Sequence, residues 1–219
     1  YQLAYDQLLA AQCNDPYGHG VVGGIYLANL RHGVYTHLIA AEKKLDELKV
    51  KSSDSLILEN NIRRVDIDPS QGGAISEIDY KPKTFNLSNF INRIEEPSHK
   101  KLLTAKQSSE ADKKSISIHD QVITKEKGLE KYLIYDWYRH GSFIDHFLSK
   151  DATVQDLQKM TFLEYGDFFK TNIKPVIQKS EASITAAFRH IGSISHNDVS
   201  HTVTLVKSLQ LDKDSDLVS

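Results

Sequence analysis

Four side chains able to hydrogen-bond a ligand, Asn14, Asp15, Tyr17 and His19, stand within six residues of one another in the run Ala10-Ala-Gln-Cys-Asn-Asp-Pro-Tyr-Gly-His-Gly-Val-Val-Gly-Gly24. Together they offer an amide, a carboxylate, a phenol and an imidazole. Such a set suits a hydroxyl-rich molecule, whose OH groups each need a donor or an acceptor and whose ring an aromatic face can cover. Gly18, Gly20, Gly23 and Gly24 would let the backbone approach such a ligand closely. An architectural reading fits the same residues. Asn14 and Asp15 are good helix caps, and glycines make turns.

The elements around this run follow from spacing. Residues 1 to about 12 place Tyr1, Ala4, Tyr5, Leu8, Leu9 and Ala11 at helical intervals. Asn14 and Pro16 stop that helix, because proline lacks an N–H and forces the residue before it toward extended backbone. From about Gly24 the pattern Tyr26, Leu27, Leu30, Val34, Leu38, Ile39, Leu45, Leu48 is helical again, with Lys43, Lys44 and Lys49 where they suit the helix dipole. The reactive run is therefore expected to be the loop of a helical hairpin, and loops on rigid elements are where binding groups sit.

After Ser52-Ser53-Asp54 the period changes. Leu56-Ile57-Leu58, Arg63 to Asp68 and Ala74 to Tyr80 alternate, separated by Asn60-Asn61 and by Pro69-Ser-Gln-Gly-Gly73. Short strands with regular turn signals predict a mainly antiparallel β-sandwich. The fold class is thus α+β, with a helical segment over 1–50 and a β-domain over 51–219. Phe85 to Ile91 fits either a short helix or a chain crossing the sheet edge. Glu95 to Lys114 is polar and aperiodic and predicts a long surface loop. Strand-like material returns at 133–148, 161–170, 183–190 and 202–211.

Other groups compete for a chemical role. Trp137, flanked by Tyr135 and Tyr138, could stack on a sugar, although an aromatic cluster in a strand more commonly packs a core. Asp145 and His146 are adjacent, and adjacent strand residues point to opposite faces, which argues against a working pair. Cys13 and His19 lack the paired ligand spacing of a zinc site, so no metal is expected. Asp212-Lys-Asp-Ser-Asp216 has alternating acids, but its sixth position is Leu217 rather than glycine, and a polar turn is the better reading. No dinucleotide, P-loop or nucleophile-elbow signature is present, and no cofactor is expected.

Composition narrows the class. The chain has 219 residues, 40% of them hydrophobic, with 27 Lys and Arg against 29 Asp and Glu. The signs are mixed along the chain, without the basic face that nucleic-acid binding requires. No apolar run approaches the ~20 residues that span a bilayer, so neither a nucleic acid nor a membrane is expected as partner. A single cysteine suits a reducing compartment, and a cytoplasmic location is expected. The chain opens at Tyr1 inside an apolar pattern, with Met160 as its single methionine, and is expected to be truncated at both ends.

The run Ala11 to Leu27 with Leu30-Arg31 resembles the last conserved region of the family fifty-seven glycoside hydrolases, in the α-amylase/4-α-glucanotransferase group. Ile134-Tyr-Asp-Trp137, Phe143-Ile-Asp-His-Phe147 and Glu164-Tyr-Gly-Asp-Phe168 resemble the C-terminal β-sandwich of the same enzymes, a galactose-mutarotase-like domain. The likeness covers most of the chain up to about residue 180. It implies an α-glucan or maltooligosaccharide substrate and retaining chemistry, which needs two carboxyl groups about 5 Å apart. In the family both come from motifs upstream of the matching region, so the resemblance implies no catalytic residue in this chain and an upstream catalytic barrel as its partner. Asp15 would bind sugar hydroxyls, with Asn14, Tyr17 and His19 lining the cleft. The family usually has a tryptophan where this chain has Gly18, which bears on how an acceptor sugar is held and so on transfer against hydrolysis. The competing expectation is a non-catalytic carbohydrate-binding or structural β-sandwich module.

Overall fold

The computed structural model describes residues 1–18, 23–48, 56–105 and 128–213. Helix α1 (Gln2–Ala11) and helix α2 (Ala28–Glu47) pack against each other, burying Ala4, Ala11, Ile39 and Ala41. His37 Nδ1 on α2 lies 2.8 Å from Gln7 Oε1 on α1. Between them run two single 3₁₀ turns, Asp15–Tyr17 and Gly24–Tyr26. The helical hairpin is thus present where helical spacing places it.

Two antiparallel sheets follow. Strands β1 (Leu56–Glu59), β2 (Arg63–Asp68), β3 (Ala74–Tyr80) and β4 (Phe85–Asn86) pair in that order, and β5 (Val176–Lys179), β6 (Ser183–His196) and β7 (Val199–Asp212) form the second sheet. Their inner faces share one core. Leu58, Val65, Ile67 and Ile75 from the first sheet meet Ala186, Phe188, Leu209 and Leu211 from the second, with Ile173 between. The architecture is α+β, a helical hairpin followed by antiparallel sheets.

Alternation fixes what the other face of the first sheet carries, because residues two apart share a face. Glu59 pairs with Arg64, Arg64 with Asp79, and Asp79 with Asn86, a polar row across all four strands. In the next row Asp66 stands opposite Glu77. Helix α2 meets this face through Glu42, 3.3 Å from Arg64. Lys81, just beyond β3, places its Nζ 2.8 Å from both Asp46 of α2 and Glu59 of β1. These pairs fasten the hairpin to the sheet, and each is shielded enough to escape full solvent screening.

Residues Tyr1–Ile91, His140–Lys150 and Leu163–Ser219 form one compact unit, and Asn92–Arg139 with Asp151–Phe162 form another. The second unit holds helix α3 (Pro97–Ala105) and helix α4 (Val154–Lys159). Its anchor is Arg93, whose Nε donates to Asp136 Oδ1 at 2.8 Å, while the Asp136 side chain is fully buried. Helix α4 starts with a capping box, in which Thr153 accepts from the Asp156 N–H and Asp156 accepts from the Thr153 N–H.

Two local expectations differ from what is found. Residues 97–105 are helical, and the signal was Pro97 at the first helical position, where its missing N–H costs nothing. Residues 133–148 and 161–170 form no continuous strand. Their apolar side chains plug into aromatic clusters while the backbone makes the isolated bridges Ile75↔Ser142, Leu148↔Glu164 and Gly166↔Ile194. Of the two readings of 85–91, the sheet edge is the one found at Phe85–Asn86, a two-residue edge strand. The expected boundary near residue 51, and Asp214 and Asp216 of the acidic run, lie outside the described residues. Among the described residues no helix is long and apolar enough to cross a membrane.

Leu58 is wholly buried where the two sheets meet. Leu58→Ala should therefore lower the unfolding free energy by about 2–5 kcal/mol in urea titrations, the transfer loss plus the cavity left behind. A loss under about 1 kcal/mol would mean that the two sheets do not share this core.

Candidate functional site

The loop of the hairpin is built from backbone constraints. Asn14 is helical in backbone, and Pro16, buried, is the middle residue of the 3₁₀ turn Asp15–Tyr17. The Tyr17 hydroxyl donates to the Ala11 carbonyl at 2.8 Å and its N–H to the Asn14 carbonyl at 3.2 Å, so the phenol tethers the turn to the end of α1. Gly18 is extended, and its carbonyl accepts from the Ile25 N–H at 2.9 Å. That contact requires Gly24. At its φ of +51° a Cβ would lie 2.1 Å from the Gly18 oxygen. This glycine serves closure of the loop on itself, not approach to a ligand.

Among the described residues neither Asn14 nor Asp15 acts as a cap. The turn carries no side-chain cap hydrogen bond at Asn14, and both side chains are exposed. Tyr17 is 56% exposed, so the ring still presents a face although its hydroxyl is engaged. The loop therefore presents an amide, a carboxylate and an aromatic face side by side in sequence. His19 lies outside the described residues, as do Gly20 to Val22. Cys13 is an exposed free thiol, and among the described residues no group of three or more His, Cys, Asp or Glu is placed to hold a metal.

A chain of hydrogen bonds within the same compact unit braces this loop from below. Arg31 on α2 donates from Nη1 to the Ile25 carbonyl and from Nε to Asn89 Oδ1 at 2.7 Å. Asn89, held at φ +41°, places its Nδ2 2.9 Å from His32 Nε2 and donates its backbone N–H to Asn86 Oδ1. Asn86 in turn donates from Nδ2 to Asp79 Oδ1 at 2.8 Å, and both residues are wholly buried. His32 stacks on Phe85 with ring centroids 4.5 Å apart. Sequence reading singled out Arg31 as part of a motif and missed Asn86 and Asn89. The signal available was two asparagines three apart where no helix or strand pattern continued.

The remaining candidates are structural. Trp137 packs in the second unit against Tyr138 and Phe162, at 4.9 and 5.1 Å, and donates from Nε1 to the Met160 carbonyl. Asp145 and His146 diverge as adjacent residues should. Asp145 pairs with Lys207, which also donates to the Phe143 carbonyl at 2.7 Å, while His146 Nδ1 meets Glu164. Glu164 Oε1 further accepts from the Phe147 N–H at 2.8 Å and the Gly166 N–H at 2.9 Å, and Phe147 packs on Phe168. Asp167 accepts from the N–H and hydroxyl of Ser193, both at 3.1 Å. The runs Phe143–Phe147 and Glu164–Phe168 are thus each other's packing partners.

Arg31 spans two acceptors that a point cation cannot reach together. Arg31→Lys should lower stability by about 1–3 kcal/mol in denaturant titrations through the lost charged hydrogen bonds. Retention of wild-type stability would show that the brace is not needed.

Comparison with known proteins fits this geometry. The family model described as "Alpha-amylase/4-alpha-glucanotransferase, C-terminal" matches residues 49–219, and the corresponding middle-domain model matches residues 2–45. Alpha-amylase 1 of Dictyoglomus thermophilum is 35% identical over 194 residues, covering 84% of this chain and 28% of that protein. The 4-alpha-glucanotransferase of Thermococcus litoralis is 33% identical over 167 residues, covering 74% of this chain and 25% of that protein. The crystal structure of 4-alpha-glucanotransferase from Thermococcus litoralis shares the fold, with a TM-score of 0.62 at 24% identity over 95% of this chain and 29% of that one. The chain spans under a third of the length of these relatives. With two consecutive family models covering nearly all of it, the chain belongs to the α-amylase/4-α-glucanotransferase family.

Proposed function

We propose that this chain is the C-terminal part of an α-glucan-processing enzyme, a retaining α-amylase or 4-α-glucanotransferase, in which the hairpin loop lines the substrate cleft. Asn14 and Asp15 bind sugar hydroxyls, the Tyr17 ring covers a sugar face, and His19 completes the wall. The observation that carries this reading is the exposure of Asn14 and Asp15 without capping duty, on a loop held from below by Arg31. A binding group gains most when its support is fixed beforehand. The names of the relatives, α-amylase and 4-α-glucanotransferase, support an α-glucan as the ligand.

On this reading the catalytic carboxyl pair is supplied by a barrel upstream of the loop, and none of this chain's residues attacks the glycosidic bond. The helical segment closes the catalytic domain, and from near residue 51 a carbohydrate-type β-sandwich braces it. The enzyme works in the cytoplasm, without metal or cofactor in this region.

Asp15→Ala should weaken maltooligosaccharide binding by this chain about tenfold, the equivalent of one hydrogen bond to a charged group, in calorimetric titrations. Equal affinity of variant and wild type would overturn the role of Asp15. Among the described residues a Cβ at Gly18 meets no atom within 4 Å, so a side chain can start there without a clash. In an enzyme carrying this segment, Gly18→Trp should raise the ratio of transfer to hydrolysis, because a ring at that point can cover an acceptor sugar. An unchanged product ratio would refute it.

A further inference from the structure

Asp79 is fully buried, its Oδ1 accepts from Asn86, and its Oδ2 has no donor among the described groups as long as every carboxyl is ionised. Glu77 stands two residues away on the same face of β3, beside it. Two neighbouring carboxylates on one strand face under a helix are disfavoured as a doubly ionised pair. We propose that Glu77 and Asp79 hold one proton between them, and that this proton fastens the Asn86–Asn89–Arg31 chain and with it the helical hairpin and its loop.

The surroundings support it. The groups facing the pair are Glu42 from α2, Arg64 and Asp66 from β2, Glu59 from β1 and Asn86 from β4. Arg64 forms its ion pairs with Glu42 and Asp66, and its pull on Asp79 is outweighed by burial. Burial pushes the Glu77 carboxyl up to about 9, with the negative charge of Asp79 adding to it, and burial also raises Asp79. Burial raises Glu42 to about 7 against the pull of Arg64. Glu42 and Glu77 both line a cavity of about 590 Å³ between hairpin and sheet, with Tyr1, Tyr5, Leu8 and Leu38. The proton therefore has a path to solvent. With Glu77 protonated, its O–H donates to the open Asp79 oxygen, and the chain from β3 to the Ile25 carbonyl is complete.

The sign of the pH effect follows. Between the ordinary glutamate range and about 9 the folded chain holds a proton that the unfolded chain has released, so stability falls as pH rises and levels off above that point. Urea titrations of the 219-residue chain between pH 7.5 and 8.5, above the Glu42 range, should show the unfolding equilibrium constant rising about tenfold per pH unit. Glu77→Gln, whose amide donates to Asp79 at every pH, should remove that slope and exceed wild type in stability near pH 9. A flat wild-type profile, or a variant running parallel to wild type, would overturn the proposal. Should Glu77→Gln fail to fold, ¹³C titration of the wild-type carboxyl carbons decides. Glu77 and Asp79 signals moving together above pH 7.5 support the shared proton, and both moving only below pH 6 refute it.

Discussion

A sheet with one polar face must either leave that face in water or neutralise every charge it covers, and the hairpin of this chain takes the second course. Helix α2 lies over the row Glu59, Arg64, Asp79, Asn86 and over Asp66 and Glu77 beside it. Removing such groups from water is expensive unless each finds a partner. Arg64 is held between two carboxylates, Lys81 ties α2 to β1, and Asn86 gives its amide to Asp79. A register slip of one residue along β2 or β3 would turn Val65 and Ile78 onto this face and the charges into the core. The alternation of the strands and the seat of the hairpin are therefore one constraint.

The loop inherits its position from that seat. Because Arg31 is fixed by Asn89, and Asn89 by Asn86 at the edge of the sheet, the Ile25 carbonyl and the Gly18–Ile25 closure sit where the sheet puts them. The two 3₁₀ turns then leave Asn14 and Asp15 exposed and, among the described residues, without a capping role. The loop is a carrier of polar groups, and its stiffness comes from a sheet it does not belong to.

The motifs farther along have a different character. Glu164 gathers two backbone N–H groups and His146, Lys207 sits on Asp145 over the Phe143 ring, and Asp167 ties down Ser193. Their reactive side chains are consumed by holding irregular backbone that no ladder supports, since buried N–H groups must find acceptors somewhere. This is why a stretch as rich in Asp, His and Glu as 143–168 carries no candidate site among the described residues.

Periodicity alone determined the two helices, the strands β1, β2 and β3, and the location of the reactive loop, because helical and strand burial repeat at different intervals along the chain. It also marked parts of β6 and β7, while the two-residue turn Asn197-Asp198, with φ of +49° and +62°, joins them into one long hairpin. Tertiary structure decided the rest. That 133–148 is not a strand depends on aromatic rings finding one another, and that Asn14 and Asp15 are not caps depends on which donors the turn offers. The brace from Arg31 to Asp79 joins residues 48 apart in sequence, and the meeting of Glu42 with the Glu77 and Asp79 pair joins a helix to a sheet. A local pattern records which face a residue turns toward. It does not record which charge will stand opposite once two such faces close.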